Sequence, residues 1–457
     1  MERRVTDMTS GKPSKLILKF ALPLMLGGVF QHLYTVVDAA IVGQFCGVNS
    51  LAALGSTDWL VWFCLGFCVG LTQGFAILIA QHFGAKEYRL LRKSVAMSIV
   101  LAAAIAVLMS VLLQILAEPV LRLLNTDPAV LDEALLYLRI SYGGFAVVMA
   151  YNLLASVLRS LGDGTTPLVA MGVACAVNIG LDLLFVAVFH WGIGGAAGAT
   201  VTAQLVSCLY CAYRFRKLSL LKFSKEDWRL DRFLLKKLFS LGSPLAVQNM
   251  VIHIGGMVLQ SIINTYGVAF LAGFTATNKL YGALELAAIA FGYSIATYTG
   301  QNMGAEKIKR IKKGIRAATV LAIATSLAIT ALALIFSRPL TSLFINAGSE
   351  NAQEALQVAM SYLAVLAIFL PILYLLNIYR SALQGLGDTI TPFLSGMMEL
   401  AMRLACAFTL PMFLGGEGLF LAEPAAWFGA IILLVPVYFI RERKYLSLMV
   451  DRSAEAD

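Results

Sequence analysis

The sequence predicts an all-α integral membrane fold: twelve transmembrane helices in two six-helix lobes related by a pseudo-two-fold axis. Three observations predict it. The 457 residues are 59% hydrophobic and only 13% charged, with a mean hydropathy of +0.81, about half the charge density a soluble domain of this size needs to cover its surface. Lys and Arg are confined almost entirely to alternate loops. The second half of the chain repeats motifs of the first.

Twelve apolar spans follow one another over approximately 16–43, 51–80, 95–117, 134–159, 167–190, 194–216, 241–266, 270–300, 316–337, 355–381, 392–414 and 419–440. Each is long enough to cross about 30 Å of hydrocarbon at about 1.5 Å per residue. The recurrence of such runs along the whole chain excludes a single signal peptide or anchor.

Orientation follows from the basic residues. The N-terminal arm carries five, loop 81–94 four, stretch 214–237 nine, loop 301–316 six and the C-terminal tail four; with Arg159 and Arg380 this places 30 of the 35 on one side. Arg122 and Arg338 fall on the other side, and Arg139, Lys279 and Arg403 within spans. The asymmetry predicts both termini in the cytoplasm and an even number of crossings. Because the net charge of +9 lies in these loops, it marks membrane orientation and not a nucleic-acid surface.

The repeat is visible in paired motifs. Gly47-Val48-Asn49-Ser50-Leu51-Ala52 parallels Gly267-Val268-Ala269-Phe270-Leu271-Ala272, and Gln81-His82-Phe83-Gly84-Ala85 parallels Gln301-Asn302-Met303-Gly304-Ala305. Pro23 and Pro244 match, as do Leu161-Gly162-Asp163 with Pro167 and Leu386-Gly387-Asp388 with Pro392. The expected division is an N-terminal lobe over 1–216, a cytoplasmic linker over 217–240, a C-terminal lobe over 241–440 and a cytoplasmic tail over 441–457. An even number of spans per lobe gives both lobes the same orientation, the arrangement of parallel transporter repeats.

Polar residues inside the spans are the candidates for chemistry, since each charge costs about 3 kcal/mol on insertion scales. Asp38 lies deep in the first span. Asn178 and Asp182 are i, i+4 on the fifth and so face one neighbour. Carboxylate, amide and hydroxyl oxygens suit a hard cation such as Na⁺, and the same carboxylates can take a proton instead. Glu399 and Arg403 are i, i+4 on the eleventh span and are expected to pair. Glu285 on the eighth span is a possible cation contact. Tyr34, Met257 and Tyr281 are possible substrate contacts through cation–π and thioether packing; most such side chains, taken singly, pack helices or lie at interfaces. Gly66, Gly70 and Gly74 form a small-residue face for close helix packing, and Pro23 and Pro244 can bend the first span of each lobe. The seven Cys fit no metal-ligand spacing and are read as packing residues. No HExxH, GxSxG or GxxxxGK[ST] is present, so the expected protein is not an enzyme, hydrolyses no ATP and needs no cofactor beyond a coupling ion, H⁺ or Na⁺.

These residues resemble the multidrug and toxic compound extrusion (MATE) family. Pro23 with Val37-Asp38-Ala39-Ala40-Ile41-Val42-Gly43 is similar to that family's first-span motif. Leu158-Arg159-Ser160-Leu161-Gly162-Asp163-Gly164 is similar to its loop after the fourth span, and Gly192-Ile193-Gly194-Gly195-Ala196-Ala197-Gly198-Ala199-Thr200 to its sixth-span entry. The resemblance covers nearly the whole chain. It implies a MATE-like fold, an ion site at Asp38, Asn178, Asp182 and Thr200 that takes Na⁺ or H⁺, and export of amphipathic organic cations by antiport. It also implies a bacterial inner membrane, with lipids and small molecules as partners; the charge distribution argues against nucleic acid, and a lobe pair within one chain makes an oligomer unnecessary, so a monomer is expected. Some members carry an acid on the seventh span, where this chain has Gln248, Asn249, His253 and Gln260. The competing expectation is a flippase for a lipid-linked precursor, since exporters of that kind share the two-lobe plan. Twelve spans instead of fourteen, and three basic residues within them, favour the drug–cation antiporter.

Overall fold

The computed structural model describes residues 5–345 and 352–454. Among them there is no strand. The helices are α1 (Pro13–Phe45), α2 (Val48–Gly84), α3 (Tyr88–Leu123), α4 (Pro128–Gly143), α5 (Phe145–Ser160), α6 (Thr165–Asp182), α7 (Gly192–Arg216), α8 (Arg232–Ile263), α9 (Val268–Gly304), α10 (Ile308–Ile335), α11 (Ser337–Ser342), α12 (Ala352–Gly385), α13 (Ile390–Thr409), α14 (Pro411–Leu414) and α15 (Ala422–Ala454).

Two breaks reconcile this order with twelve crossings. The fourth span is α4 and α5 together, bent by 47° at Gly144. A Cβ on Gly144 would lie 2.6 Å from a methyl of Val201, so only glycine lets α7 come this close. The apolar stretch Ile390–Tyr445 is 56 residues long, far beyond one crossing. It divides where Pro411 and the left-handed Gly415 (φ 61°) interrupt it, leaving α13 and α15 as separate spans. The chain is therefore a multi-pass membrane protein.

Packing gathers the described residues into two units. One holds those up to Asp7 and Leu26–Ala246; the other holds Met8–Met25 and those from Val247 onward. The divide falls two residues past Pro23 in α1 and two past Pro244 in α8, so each half of the repeat hands over at the same place. The sequence places the connection between lobes at 217–240. Here residues 217–231 are docked on the first unit: Leu218 and Leu221 are buried, Asp227 meets Arg92 at 3.4 Å and Asp231 meets Lys93 at 2.6 Å. The second unit takes the chain start. The Met8 N–H donates to Gln301 Oε1 at 2.8 Å, and its carbonyl accepts from Asn302 Nδ2 at 3.1 Å and from Arg310 Nε at 3.2 Å.

In the first unit, the small-residue face of α2 carries the beginning of α8. A Cβ on Gly70 would lie 2.3 Å from the Leu245 carbonyl, and one on Gly74 2.3 Å from the Gly242 Cα. Backbone against backbone leaves no room for a side chain at either position, and the contact of small residues replaces the hydrophobic drive that lipid cannot supply.

Candidate functional site

The first unit builds its site from three helices. Asp38 sits in the second half of α1; Asn178 and Asp182 occupy the last turns of α6; Thr200 lies two turns into α7. At Asp182 the α-helix passes into a π-helical turn, Leu183–Val188, a local unwinding that recurs at functional sites. Asp38, Asn178 and Asp182 are 6%, 1% and 0% exposed. The Asn178 Nδ2 donates to Thr200 Oγ1 at 3.3 Å, which turns the amide oxygen away from the hydroxyl.

Four buried oxygens then have no hydrogen-bond partner: Asp38 Oδ1, Asn178 Oδ1, and both Oδ1 and Oδ2 of Asp182. Leaving one such group unsatisfied costs about 1–3 kcal/mol, and more when it is charged. They belong together, because Asp38 acts electrostatically on Asp182. A donor set made only of oxygen, with two carboxylates, fits a hard monovalent cation or a proton. Among the described residues no cluster of three or more His, Cys, Asp or Glu side chains exists that could hold a metal ion.

Tyr34, Asn178, Thr200, Gln204, Tyr151 and Ser207 line a cavity of about 10 Å³, room for about one water-sized occupant. Tyr34 lies within electrostatic reach of Asp38, so this candidate substrate contact lies beside the candidate ion site. Two groups here escape a reading of the sequence. Asp58 on α2 acts on Asp38, and Tyr137 on α4 feels Asp38, Asp58, Tyr34 and Asp182 together. Asp58 carries a signal in the sequence, as an acid ten residues into an apolar span; Tyr137 carries none.

The second unit corrects one expectation. Glu399 and Arg403 do not pair with each other, although they stand one turn apart on α13. Glu399 is taken by Arg380 of α12, which also donates to Ser395 Oγ at 3.3 Å. Arg403 reaches Glu423 of α15 at 2.7 Å and the Ile252 carbonyl of α8 at 3.0 Å. Both choices join α13 to another helix, α12 for Glu399 and α15 for Arg403. The sequence pattern groups Arg380 with the cytoplasmic charges; near the end of α12 its side chain is half-buried, 12% exposed, and turned to Glu399. Glu285 lies within electrostatic reach of Tyr281 and Glu423, and Tyr281 within that of Arg403, so Tyr281, Glu285 and Arg403 share one polar cluster. Met257 is half-buried on α8, one turn past His253.

The sequence model of the family MatE matches residues 23–184 and again 244–409, the two halves of the repeat. The probable multidrug resistance protein YpnP of Bacillus subtilis is 32% identical over 308 residues, covering 67% of this chain and 68% of its own. The probable multidrug resistance protein YoeA of the same organism is 26% identical over 464 residues, covering 98% of this chain and 99% of its own. Among solved structures, a MATE protein in complex with MaL6 has a TM-score of 0.91 at 22% identity, over 98% of this chain and all of that one; at that identity the likeness speaks for the fold. The chain belongs to the MatE family of multidrug and toxic compound extrusion transporters.

Proposed function

We propose that this protein exports amphipathic organic cations across a bacterial inner membrane in exchange for H⁺ or Na⁺, by alternating access, as a monomer with both termini in the cytoplasm. The observation that carries the reading is the group of four unpartnered buried oxygens on Asp38, Asn178 and Asp182. Two carboxylates brought together in an apolar bundle repel each other unless a small cation lies between them or a proton neutralises one. Occupancy therefore changes the packing energy of α1 against α6, and α1 is the helix that runs from one unit into the other. The ion gradient supplies the energy, and the helix carries the signal. Two of the basic residues within the spans, Arg380 and Arg403, are already held by Glu399 and Glu423, which leaves them poor partners for a pyrophosphate.

The test is uptake of a fluorescent cationic dye into inverted vesicles, the counterpart of export from the cell, with ΔpH and the Na⁺ gradient collapsed separately. Collapse of one of them should stop export. Export that continues with both collapsed would overturn the reading.

A further inference from the structure

The two halves can be set in register through backbone landmarks. The left-handed glycines Gly162 (φ 80°) and Gly387 (φ 90°) lie 225 residues apart, as do the starts of α6 at Thr165 and α13 at Ile390. The left-handed glycines Gly192 (φ 60°), which opens α7, and Gly415 (φ 61°), seven residues ahead of α15, lie 223 apart, and Pro23 and Pro244 lie 221 apart. On these registers Asn178 falls on Arg403, Thr200 on Glu423, Asp182 on Ala407, Asp38 on Leu259 and Tyr34 on Gly255. Tyr137 falls on Tyr362.

The same helix pair is thus joined by the same polar contact in both units. In the first it is Asn178 to Thr200 at 3.3 Å; in the second it is Arg403 to Glu423 at 2.7 Å. The two acids of the first unit are replaced by buried apolar residues, Leu259 and Ala407. Gly255 stands where the first unit keeps a tyrosine, and a Cβ there would lie 2.6 Å from Arg403 Nη1; the position is cleared for the guanidinium. The tyrosine near the site is kept, with Tyr137 feeling Asp38 and Asp182, and Tyr362 feeling Glu423 and Arg403.

We propose that the Arg403 guanidinium is a tethered cation seated in the second unit's copy of the cation site. This copy exchanges nothing, and removing the guanidinium opens a site for a small monovalent cation at Glu423. The proposal rests on the reading of the first-unit site given above. The charges support it. Arg403 and Glu423 neutralise each other, with side chains 5% and 16% exposed, so no mobile ion is needed. The other titratable groups facing the pair are Glu285 and Tyr281 on α9, His253 on α8 and Tyr362 on α12, and none brings a fixed positive charge to replace Arg403.

The experiment uses the full chain in detergent at fixed alkaline pH, with Na⁺ titrated against choline. Its readouts are bound radioactive sodium and melting temperature, in an Asp38→Asn/Asp182→Asn background that silences the first unit. With Arg403 intact, this background should neither bind Na⁺ saturably nor shift its melting temperature. Adding Arg403→Ala should produce one saturable site and a rise of about 2–4 °C at Na⁺ well above its dissociation constant. Adding Glu423→Gln as well should abolish both. Saturable Na⁺ binding with Arg403 intact would overturn the proposal, and that measurement does not depend on Arg403→Ala folding. A folded Arg403→Ala protein that ignores Na⁺ would overturn it equally. Export by Asp38→Asn in the otherwise unaltered chain reports on the first-unit reading by itself, so the two failures are distinguishable.

Discussion

Asp38→Asn should reduce uphill export of a cationic dye to the level of membranes without the protein, and Asp182→Asn should do the same. Each change keeps the shape of the side chain and removes its charge. For Asp38 it takes a carboxylate away from a pocket whose remaining unpartnered oxygens belong to Asn178 and Asp182. A charge-assisted ligand is worth about 1.5–3 kcal/mol, so cation affinity should fall at least about tenfold. Coupling fails further, because a pocket with one carboxylate no longer needs a cation to relieve the repulsion between two. The folded protein should survive, since replacing one of two neighbouring acids by an amide removes like-charge repulsion. Dye efflux from cells, with membrane insertion checked by size-exclusion chromatography, reads both effects. Normal export by Asp38→Asn would remove that residue from the mechanism.

The second large effect is on stability. Arg380→Leu should destabilise the second unit by about 3–5 kcal/mol, because it strands the buried Glu399 carboxylate. Glu399 is 4% exposed, and its ion-pair partner in the structure is Arg380. Glu399→Leu should cost a similar amount by stranding the guanidinium, whose Nε already lacks a partner. The double variant should recover most of the loss, since replacing both partners of a buried pair by apolar residues is often close to neutral. Thermal melts of the three proteins test this. Additive losses in the double variant would mean that the two side chains do not act as a pair.

Much of this molecule is legible in its sequence for one reason: lipid penalises exceptions. Apolar runs mark the spans, and polar residues that interrupt them stand out, so Asp38, Asn178 and Asp182 are visible from the amino-acid pattern alone. The repeat is legible because glycines in left-handed turns and prolines in helices tolerate few substitutes. Partner choice is not legible. Glu399 satisfies the i, i+4 rule with Arg403, yet each pairs with a residue on another helix. Depth near a span's end is also hidden: Arg380 lies five residues before the end of α12 at Gly385, where a loop charge and a buried one look alike. The need for glycine at position 144 comes from Val201 of another helix, a contact no local pattern reports. The match of Asn178–Thr200 with Arg403–Glu423 emerges only when the repeat is read through backbone conformation, since the paired residues share no chemistry.

The proposed exchange turns on a site in the first unit that trades its small cation for transport of substrate. The most direct measurement uses proteoliposomes loaded with a cationic substrate, with no ion gradient at the start and the membrane potential clamped. Outward flow of substrate should drive H⁺ or Na⁺ inward against its own gradient, in fixed proportion, and Asp182→Asn should abolish that uptake. Substrate leaving at full rate with no cation entering, or uptake unchanged in Asp182→Asn, would contradict it.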